Sequence, residues 1–130
     1  MPPSVSAAPE VVGGLALLVE DSEDLRPMLA DMLIRMSQSV IQETSADEAA
    51  AIAADLPDIA LVLSDIQLQG GATGLDLLER VRGTGLPCIL MTSLPPDHAL
   101  HRAALARVPV LRKPFGATEL AALLQAEAAE

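Results

Sequence analysis

Five short apolar runs, separated by stretches with helical periodicity, constrain the fold of this chain more than any other feature. Four of the runs are about five residues long, continuously apolar, and bounded by turn-forming or polar residues. Such runs are typical of strands that are covered on both faces. A fifth run is more polar and suits the edge of a sheet. Strands are therefore predicted at residues 15–19, 59–63, 88–91 and 108–111, with the polar edge strand at 39–44.

The segments between these runs have the periodicity and the caps of helices. In the first segment, apolar residues at spacings of three and four form a stripe that we expect to pack into the core. Its members are Leu25, Met28, Leu29, Met32, Leu33 and Met36. Ser45 and Glu48 form a capping box that opens an Ala-rich second helix. The remaining helices are predicted at about 73–83, at 96–107 and from residue 116 towards the C-terminus.

Strands that alternate with helices imply an α/β fold, a (βα)5 unit with a parallel sheet and helices on both faces. The 130 residues are enough for one domain with a single core. Residues 1–13 are rich in Pro, Ser and Ala and have no periodicity. We therefore expect a flexible N-terminal tail over 1–13 and one domain over 14–130.

Charge and composition exclude several classes of function. The formal charge of -10 argues against direct DNA binding, which needs clustered Lys and Arg. The single cysteine, Cys88, cannot form an internal disulfide, and we expect it to be a small buried residue of its strand. The sequence has neither a signal peptide nor an apolar run of ~20 residues, so it predicts no membrane contact and a cytoplasmic location.

The most informative polar residues come directly after the predicted strands. In parallel sheets of this kind, ligands bind just beyond the carboxyl ends of the strands. Four strand ends therefore bring polar side chains to one edge of the sheet, including the only lysine of the chain. These residues are Glu20, Asp21, Asp65, Thr92, Ser93 and Lys113.

Together these residues indicate phosphoryl transfer assisted by a metal ion. Convergent carboxylates repel one another and need a cation, and oxygen ligands without His or Cys favour Mg2+. Lys113 adds a compact positive charge, and Thr92 adds a hydroxyl that can turn towards an anion. Such groups stabilise a phosphoryl group as it passes to a carboxylate nucleophile. Each residue alone also has a structural interpretation, such as a helix cap, but the combination favours a site.

In these segments the chain resembles the receiver domain of two-component response regulators. The resemblance covers about residues 14–125 and rests on four motifs. These are Leu-Leu-Val-Glu-Asp at 17–21, Leu-Ser-Asp-Ile at 63–66, Leu-Met-Thr-Ser at 90–93 and Arg-Lys-Pro-Phe at 112–115. The resemblance implies a flavodoxin-like, doubly wound sheet of five parallel strands in the order 2-1-3-4-5.

The resemblance also implies a function and its partners. Asp65 would accept a phosphoryl group from a histidine kinase or a histidine phosphotransfer protein, and the phosphorylated chain would act on a downstream protein target. Such a switch assists its own phosphorylation and dephosphorylation and is not a turnover enzyme. A homodimer through the face of the fourth helix, fifth strand and fifth helix is a further expectation.

The other site residues receive their roles from the same resemblance. Asp21 and Asp65 would bind Mg2+, or Mn2+ in its place, with help from Glu20 and the backbone carbonyl of Gln67. Lys113 would pair with Asp65 and then with the phosphoryl oxygens. The hydroxyl of Thr92 would swing towards the phosphate and shift the loop after the fourth strand.

The sequence departs from the family pattern at three places. Val110 occupies the position, three residues before the lysine, where receivers commonly carry an aromatic ring that moves with the threonine. We therefore expect a loop shift without a ring movement, and a packing role for Phe115. The loop at 68–71 replaces a Met-Pro turn and contains two adjacent glycines. Leu94 is apolar and cannot orient an attacking water, which favours a long-lived phosphate.

Two further surface features have open interpretations. Pro27, Ala30 and Ile34 form a second apolar line on the first helix, which is either a docking face for a helical phosphodonor or a line covered by the fifth helix. His98 and His101 are three residues apart and lack nearby ligands, so a solvated helix face is expected rather than a metal site.

Two other functions share residues with the phosphorylation switch. The complete set of site residues weighs against an interaction-only pseudo-receiver, whereas Val110 is compatible with it. A Mg2+-dependent phosphatase with an aspartyl-phosphate intermediate uses the same residue types. In haloacid-dehalogenase-like hydrolases, however, the nucleophilic Asp precedes the other acidic ligands, and here the acidic pair comes first.

Overall fold

The computed structural model describes residues 14–36, 38–68 and 70–129, so the tail predicted at 1–13 lies outside the described residues. Strands and helices alternate along the whole described chain. The strands are β1 (Leu15–Val19), β2 (Ser39–Glu43), β3 (Ile59–Asp65), β4 (Cys88–Thr92) and β5 (Val110–Arg112). The helices are α1 (Leu25–Arg35), α2 (Ala46–Asp55), α3 (Gly74–Val81), α4 (Ala99–Leu105) and α5 (Ala117–Ala129), and a short 3-10 helix (Arg82–Thr84) follows α3.

All five strands are parallel and form one sheet in the order β2-β1-β3-β4-β5. At the centre, Leu17 of β1 lies between Ile41 of β2 and Val62 of β3. This is the flavodoxin-like order, and the predicted fold is confirmed. The polar strand, β2, is at the edge, as its sequence predicts.

The core has two layers because successive side chains of each strand point to opposite faces. On one face, Ala16 and Leu18 of β1 pack with residues of α1 and α5. On the other face, Leu17 and Val19 pack with α3 and with four buried alanines of α2. These alanines are Ala46, Ala49, Ala50 and Ala53. Both faces of the sheet are therefore covered, which explains the continuous apolar runs.

Helix caps at Ser45 and Thr73 form where the sequence predicts them. The hydroxyl of Ser45 accepts a hydrogen bond from the backbone N–H of Glu48 at 3.2 Å. Thr73 and Asp76 form a complete capping box at the start of α3. These caps satisfy backbone N–H groups that have no partner within the helix.

Two elements start two or three residues later than the sequence predicts. The fourth helix starts at Ala99 rather than at residue 96, because a turn joins the N–H of His98 to the carbonyl of Pro95 at 3.0 Å. The fifth strand starts at Val110 rather than at residue 108, because the N–H of Val108 still bonds to the carbonyl of Ala104 at the end of α4.

The prediction that the whole stripe of α1 packs into the core is wrong at Met28. Leu29 and Leu33 are buried, and Met32 and Met36 pack partly against the core. The side chain of Met28 is 59% exposed. Within the described residues, none of the helices combines the length and apolar character needed to cross a membrane.

Candidate functional site

The polar residues that follow the strands do meet at one edge of the sheet. Glu20 comes directly after β1, Asp65 ends β3, Thr92 ends β4 and Lys113 comes directly after β5. Because β1, β3, β4 and β5 are neighbours in a parallel sheet, these four ends lie side by side. The predicted convergence of this site is therefore observed.

Three carboxylates form the acidic part of the site. Oxygen atoms of Glu20, Asp21 and Asp65 all lie within 4.8 Å of one another. Glu20 is 1% exposed and Asp65 is 8% exposed, so much of this charge is withdrawn from water. A cluster of hard oxygen donors with this spacing fits a small divalent cation such as Mg2+.

Lys113 bridges two of these carboxylates. Its Nζ lies 2.9 Å from Oε1 of Glu20 and 3.0 Å from Oδ2 of Asp65. The family resemblance implies a contact of this lysine with Asp65 alone, so the contact with Glu20 is one that the sequence did not predict. One ammonium group thus offsets part of the charge of two buried acids.

The electrostatic balance raises the pKa of both Asp65 and Lys113. Burial raises the pKa of Asp65 most, and the charges of Glu20 and Asp21 add to it; they outweigh the hydrogen bond from Lys113, and the pKa is about 6. For Lys113, burial lowers the pKa, but the hydrogen bonds to Glu20 and Asp65 outweigh burial and leave the pKa above its usual value. The site therefore favours a charged lysine and opposes the negative form of Asp65.

Thr92 is fully buried and faces its own loop rather than Asp65. Its Oγ1 accepts a hydrogen bond from the N–H of Leu94 at 2.9 Å. Its carbonyl accepts a bond from the N–H of Lys113 at 2.8 Å, which ties β4 to the start of the lysine segment. The hydroxyl therefore holds the loop after β4 in the position seen here.

The start of α3 closes the site on the side of Asp65. The N–H of Gly74 bonds to the carbonyl of Ile66 at 2.7 Å. A Cβ atom at Gly74 would collide with the backbone carbonyl of Asp65, so only glycine permits this approach.

Gly70 and Gly71 have φ values of 89° and 90°, as the predicted permissive loop requires. Gln67 is exposed in this loop, and its role as a carbonyl ligand stays a prediction.

Arg26 is a site residue that the sequence analysis missed. Its Nη1 donates to the backbone carbonyl of Glu20 at 3.0 Å, and its Nη2 donates to Glu23 at 2.9 Å. The arginine side chain is only 14% exposed. The guanidinium thereby fastens the turn that carries the acidic pair. No short motif signals this role, because the acceptor is a backbone atom.

The second apolar line of α1 is not one continuous docking face. Ala30 is 3% exposed and belongs to the core cluster that contains Leu120 and Leu124 of α5. Pro27 and Ile34 remain exposed. The interpretation that α5 covers the line therefore holds for its central residue.

The two histidines have different environments. His98 is exposed and caps α4, with Nδ1 accepting from the N–H of Leu100 at 3.1 Å. His101 is buried, and its Nδ1 lies 3.0 Å from the carbonyl oxygen of Leu94. The expected solvated face is therefore wrong for His101, because the ring is buried against the loop after β4.

The side chains of Cys88 and Phe115 lie in the environments that the sequence predicts. Cys88 is buried within β4, as expected of a small apolar residue. Phe115 packs against the core cluster that includes α5, which agrees with its predicted packing role. Val110 packs against Ala104 of α4, together with Leu90.

One protein family and several solved structures are similar to this chain. The model of the response regulator receiver domain matches residues 16–125. A search among curated proteins found no match. The fold is similar to that of chemotaxis protein CheY4 of Vibrio cholerae, with a TM-score of 0.74 and 24% identity over 88% of this chain and 98% of that chain.

Two other solved structures are similar over most of this chain. One is the signal receiver domain of a modulated diguanylate cyclase of Desulfovibrio desulfuricans G20, with a TM-score of 0.73 and 28% identity over 90% of this chain and 98% of that chain. The other is NtrX of Brucella abortus, with a TM-score of 0.75 and 29% identity. There the match covers 91% of this chain and 27% of NtrX, so the similar domain is one part of a longer protein.

Proposed function

The chain belongs to the response regulator receiver domain family, and from that premise we propose that it is a switch phosphorylated on Asp65. The observation that carries this proposal is the contact of one half-buried lysine, Lys113, with two buried acids, Glu20 and Asp65, beside Asp21. A purely structural ion pair has no need of a third carboxylate within 4.8 Å.

The proposed reaction moves a phosphoryl group from a histidine to Asp65. A carboxylate oxygen of Asp65 attacks the phosphorus, the bond between phosphorus and the donor nitrogen breaks, and an aspartyl phosphate forms. Lys113 stands 3.0 Å from Asp65 and is placed to pair with the phosphoryl oxygens. Acetyl phosphate serves as a small donor in the same way, with acetate as the leaving group.

Mg2+, or Mn2+ in its place, is the cofactor that the acidic cluster fits. Glu20, Asp21 and Asp65 would hold the ion, with the backbone carbonyl of Gln67 as a further ligand. When bound, the ion offsets the negative charge that gathers at the phosphoryl group. Lys113, which contacts both Glu20 and Asp65, would exchange its contact with Glu20 for one with the phosphoryl oxygens.

The output of the switch starts at Thr92. A phosphoryl group adds about -1.5 to -2 charges beside Asp65, and the hydroxyl of Thr92, which here accepts from the N–H of Leu94, turns towards it. The loop after β4 then changes position. Val110 cannot supply the customary ring movement, so the change is confined to this loop and α4.

The proposed partners follow from family membership. A histidine kinase or a histidine phosphotransfer protein supplies the phosphoryl group, and a downstream protein reads the changed surface. The setting is the cytoplasm, with neither DNA nor membrane as a direct partner, and the chain is not a turnover enzyme. The face of α4, β5 and α5 also serves as a homodimer surface, and Leu105, the last residue of α4, is 59% exposed.

A mass measurement tests the proposal. The protein is incubated with acetyl phosphate and Mg2+, and its intact mass is recorded beside that of Asp65→Asn and of an EDTA-treated sample. One phosphate adduct is expected for the wild type with Mg2+ and none for the other two. Without an adduct from acetyl phosphate or from a phosphorylated histidine donor, the chain is an interaction-only pseudo-receiver. Continuous release of inorganic phosphate from other phosphate esters would instead indicate the phosphatase alternative.

A further inference from the structure

His101 is a buried imidazole that takes no part in the proposed phosphotransfer. It is 5% exposed and lies one helical turn before Ala104, which packs with Ile66 and Leu90 under α4. Its Nδ1 is 3.0 Å from the carbonyl oxygen of Leu94. Because a carbonyl oxygen only accepts hydrogen bonds, Nδ1 must carry the proton in this contact.

Leu94 is held at both of its backbone groups, by two residues of different elements. Its N–H donates to the hydroxyl of Thr92 at 2.9 Å, and its carbonyl accepts from His101. The next residue is Pro95, which has no backbone N–H. The carbonyl of Leu94 is therefore the only hydrogen-bonding group of the Leu94–Pro95 peptide. Thr92 and His101 are therefore joined through a single residue.

This chain of two hydrogen bonds links the phosphorylation site to α4. If the hydroxyl of Thr92 turns towards Asp65, the N–H of Leu94 loses its acceptor, and an unpaired backbone group in a partly buried loop is unfavourable. Leu94 must then move, and its carbonyl moves with it. His101 is the α4 residue whose hydrogen bond to this carbonyl the movement disturbs.

On the basis of the proposed function, we propose that His101 couples the phosphorylation site to α4. Its Nδ1–H holds Leu94 in the unphosphorylated conformation, and this bond breaks when Thr92 turns to the phosphoryl group. His101 thus stabilises the unphosphorylated state and is a positioning residue. A hydrogen bond across the loop performs the coupling in a chain that has no aromatic ring at Val110.

Nitrogen NMR of the wild-type imidazole tests the bond directly. Without ligand, the ring of His101 is expected as the Nδ1–H tautomer, with a proton that exchanges slowly with water. Addition of Mg2+ and beryllofluoride, a phosphoryl mimic, is expected to remove this slowly exchanging signal. A signal that is absent from the start, or that persists when beryllofluoride has saturated the protein, would overturn the proposal.

A pair of substitutions tests the energetic role. His101→Leu removes the donor, and His101→Asn keeps an amide N–H near the position of Nδ1. Because the bond stabilises only the unphosphorylated state, His101→Leu should tighten beryllofluoride binding by about twofold to tenfold. His101→Asn should bind as the wild type does. Equal effects of the two substitutions, or no tightening in a folded His101→Leu protein, contradict the proposal.

Two controls separate this proposal from the proposed function. His98→Asn changes the exposed imidazole of the same helix and keeps a good helix cap, so it should leave the affinity unchanged. Fluorine NMR of beryllofluoride shows whether the wild type binds the mimic at all. Binding without a change at His101 overturns the coupling alone, whereas the absence of binding overturns the phosphorylation site and the coupling together. If His101→Leu does not fold, the NMR result on the wild type decides.

Discussion

At the scale of single residues, Asp65 stands where burial and two neighbouring acids oppose its negative charge. Its pKa is about 6 in the folded chain, against an ordinary value of 3.8. As the pH rises through this window, the unfolded chain releases the proton of Asp65 before the folded chain does. The folded state therefore loses stability between these pH values and does not regain it above them. The carboxylate that the proposed phosphotransfer uses is thus unfavourable for the stability of the fold.

Asp65→Asn should stabilise the metal-free protein at neutral pH. The expected gain is about 1–3 kcal/mol near pH 7.5, and it should shrink towards zero near pH 4, where the folded wild type also carries a neutral side chain. Urea unfolding of both proteins in EDTA measures the difference. A variant that is less stable than the wild type near neutral pH would show that the negative form of Asp65 is favoured in the fold.

Leu94→Glu should shorten the lifetime of the phosphorylated state. Leucine cannot orient a water molecule, whereas a carboxylate at this partly exposed position accepts a hydrogen bond from water and directs it at the phosphorus. We expect hydrolysis to accelerate about tenfold, at the low end of what a positioned acid–base group contributes. The decay of the phosphate adduct, followed by mass, measures the rate. Leu94→Met is the control, and a rate equal in all three proteins would refute the expectation.

At the scale of elements, the start of α3 sets the geometry around Asp65. Gly74→Ala places a methyl group against the backbone carbonyl of Asp65 and should destabilise the fold by about 1–3 kcal/mol. The rate of phosphorylation by acetyl phosphate should fall as well, because α3 must retreat from the site. Urea unfolding and the rate of adduct formation are the two measurements.

Gly83→Ala is the matched control for this substitution. Gly83 lies in the 3-10 helix after α3, and a Cβ atom there meets no atom within 4 Å. Its φ is not among the positive values of the chain. The control should therefore be neutral in both measurements, and an equal loss in the two variants would mean that the contact with Asp65 is unimportant.

The strands and most of the helices could be predicted because their signals are local. Continuous apolar runs identify strands that are covered on both faces, and the caps at Ser45 and Thr73 mark where helices begin. The misplaced start of β5 has a non-local cause. Val108 is apolar enough for a strand, but its N–H is used by the end of α4. Likewise, the exposure of Met28 depends on how far α5 extends over α1, which helical periodicity does not encode.

For the site, residue types at the strand ends predict which side chains meet but not how they pair. The contact of Lys113 with Glu20 depends on the distance between two strand ends that are separated by β3 and β4 in the sheet. Arg26 acts on a backbone carbonyl, and any residue at position 20 would present the same atom. The burial of His101 follows from the packing of α4 rather than from its spacing to His98.

At the scale of the whole molecule, the helices cover both faces of the sheet, and their outward sides form the outer surface. Leu105 is the most exposed large apolar residue of α4, at 59%. If the face of α4, β5 and α5 joins two copies of the phosphorylated chain, this side chain becomes buried between them. The apolar contact would then contribute about 1.5–3 kcal/mol to the dimer.

Leu105→Glu should therefore raise the dissociation constant of the dimer at least about tenfold. Sedimentation velocity with Mg2+ and beryllofluoride is the measurement, and the wild type is expected to sediment faster than it does without the mimic. Leu56→Glu, at the end of α2, is the control and should behave as the wild type does. Identical sedimentation of wild type and Leu105→Glu would place the contact elsewhere.

In the proposed function, this acidic, lysine-bridged pocket directs one phosphoryl group to one residue. Reduction of the phosphorylated protein with borohydride converts an aspartyl phosphate to homoserine, and peptide mass spectrometry then identifies the modified position. We expect homoserine at residue 65 alone, and only in samples treated with Mg2+ and a phosphodonor. Homoserine at residue 21 or at a surface aspartate, or an unmodified residue 65 in a protein that carries the phosphate adduct, would contradict it.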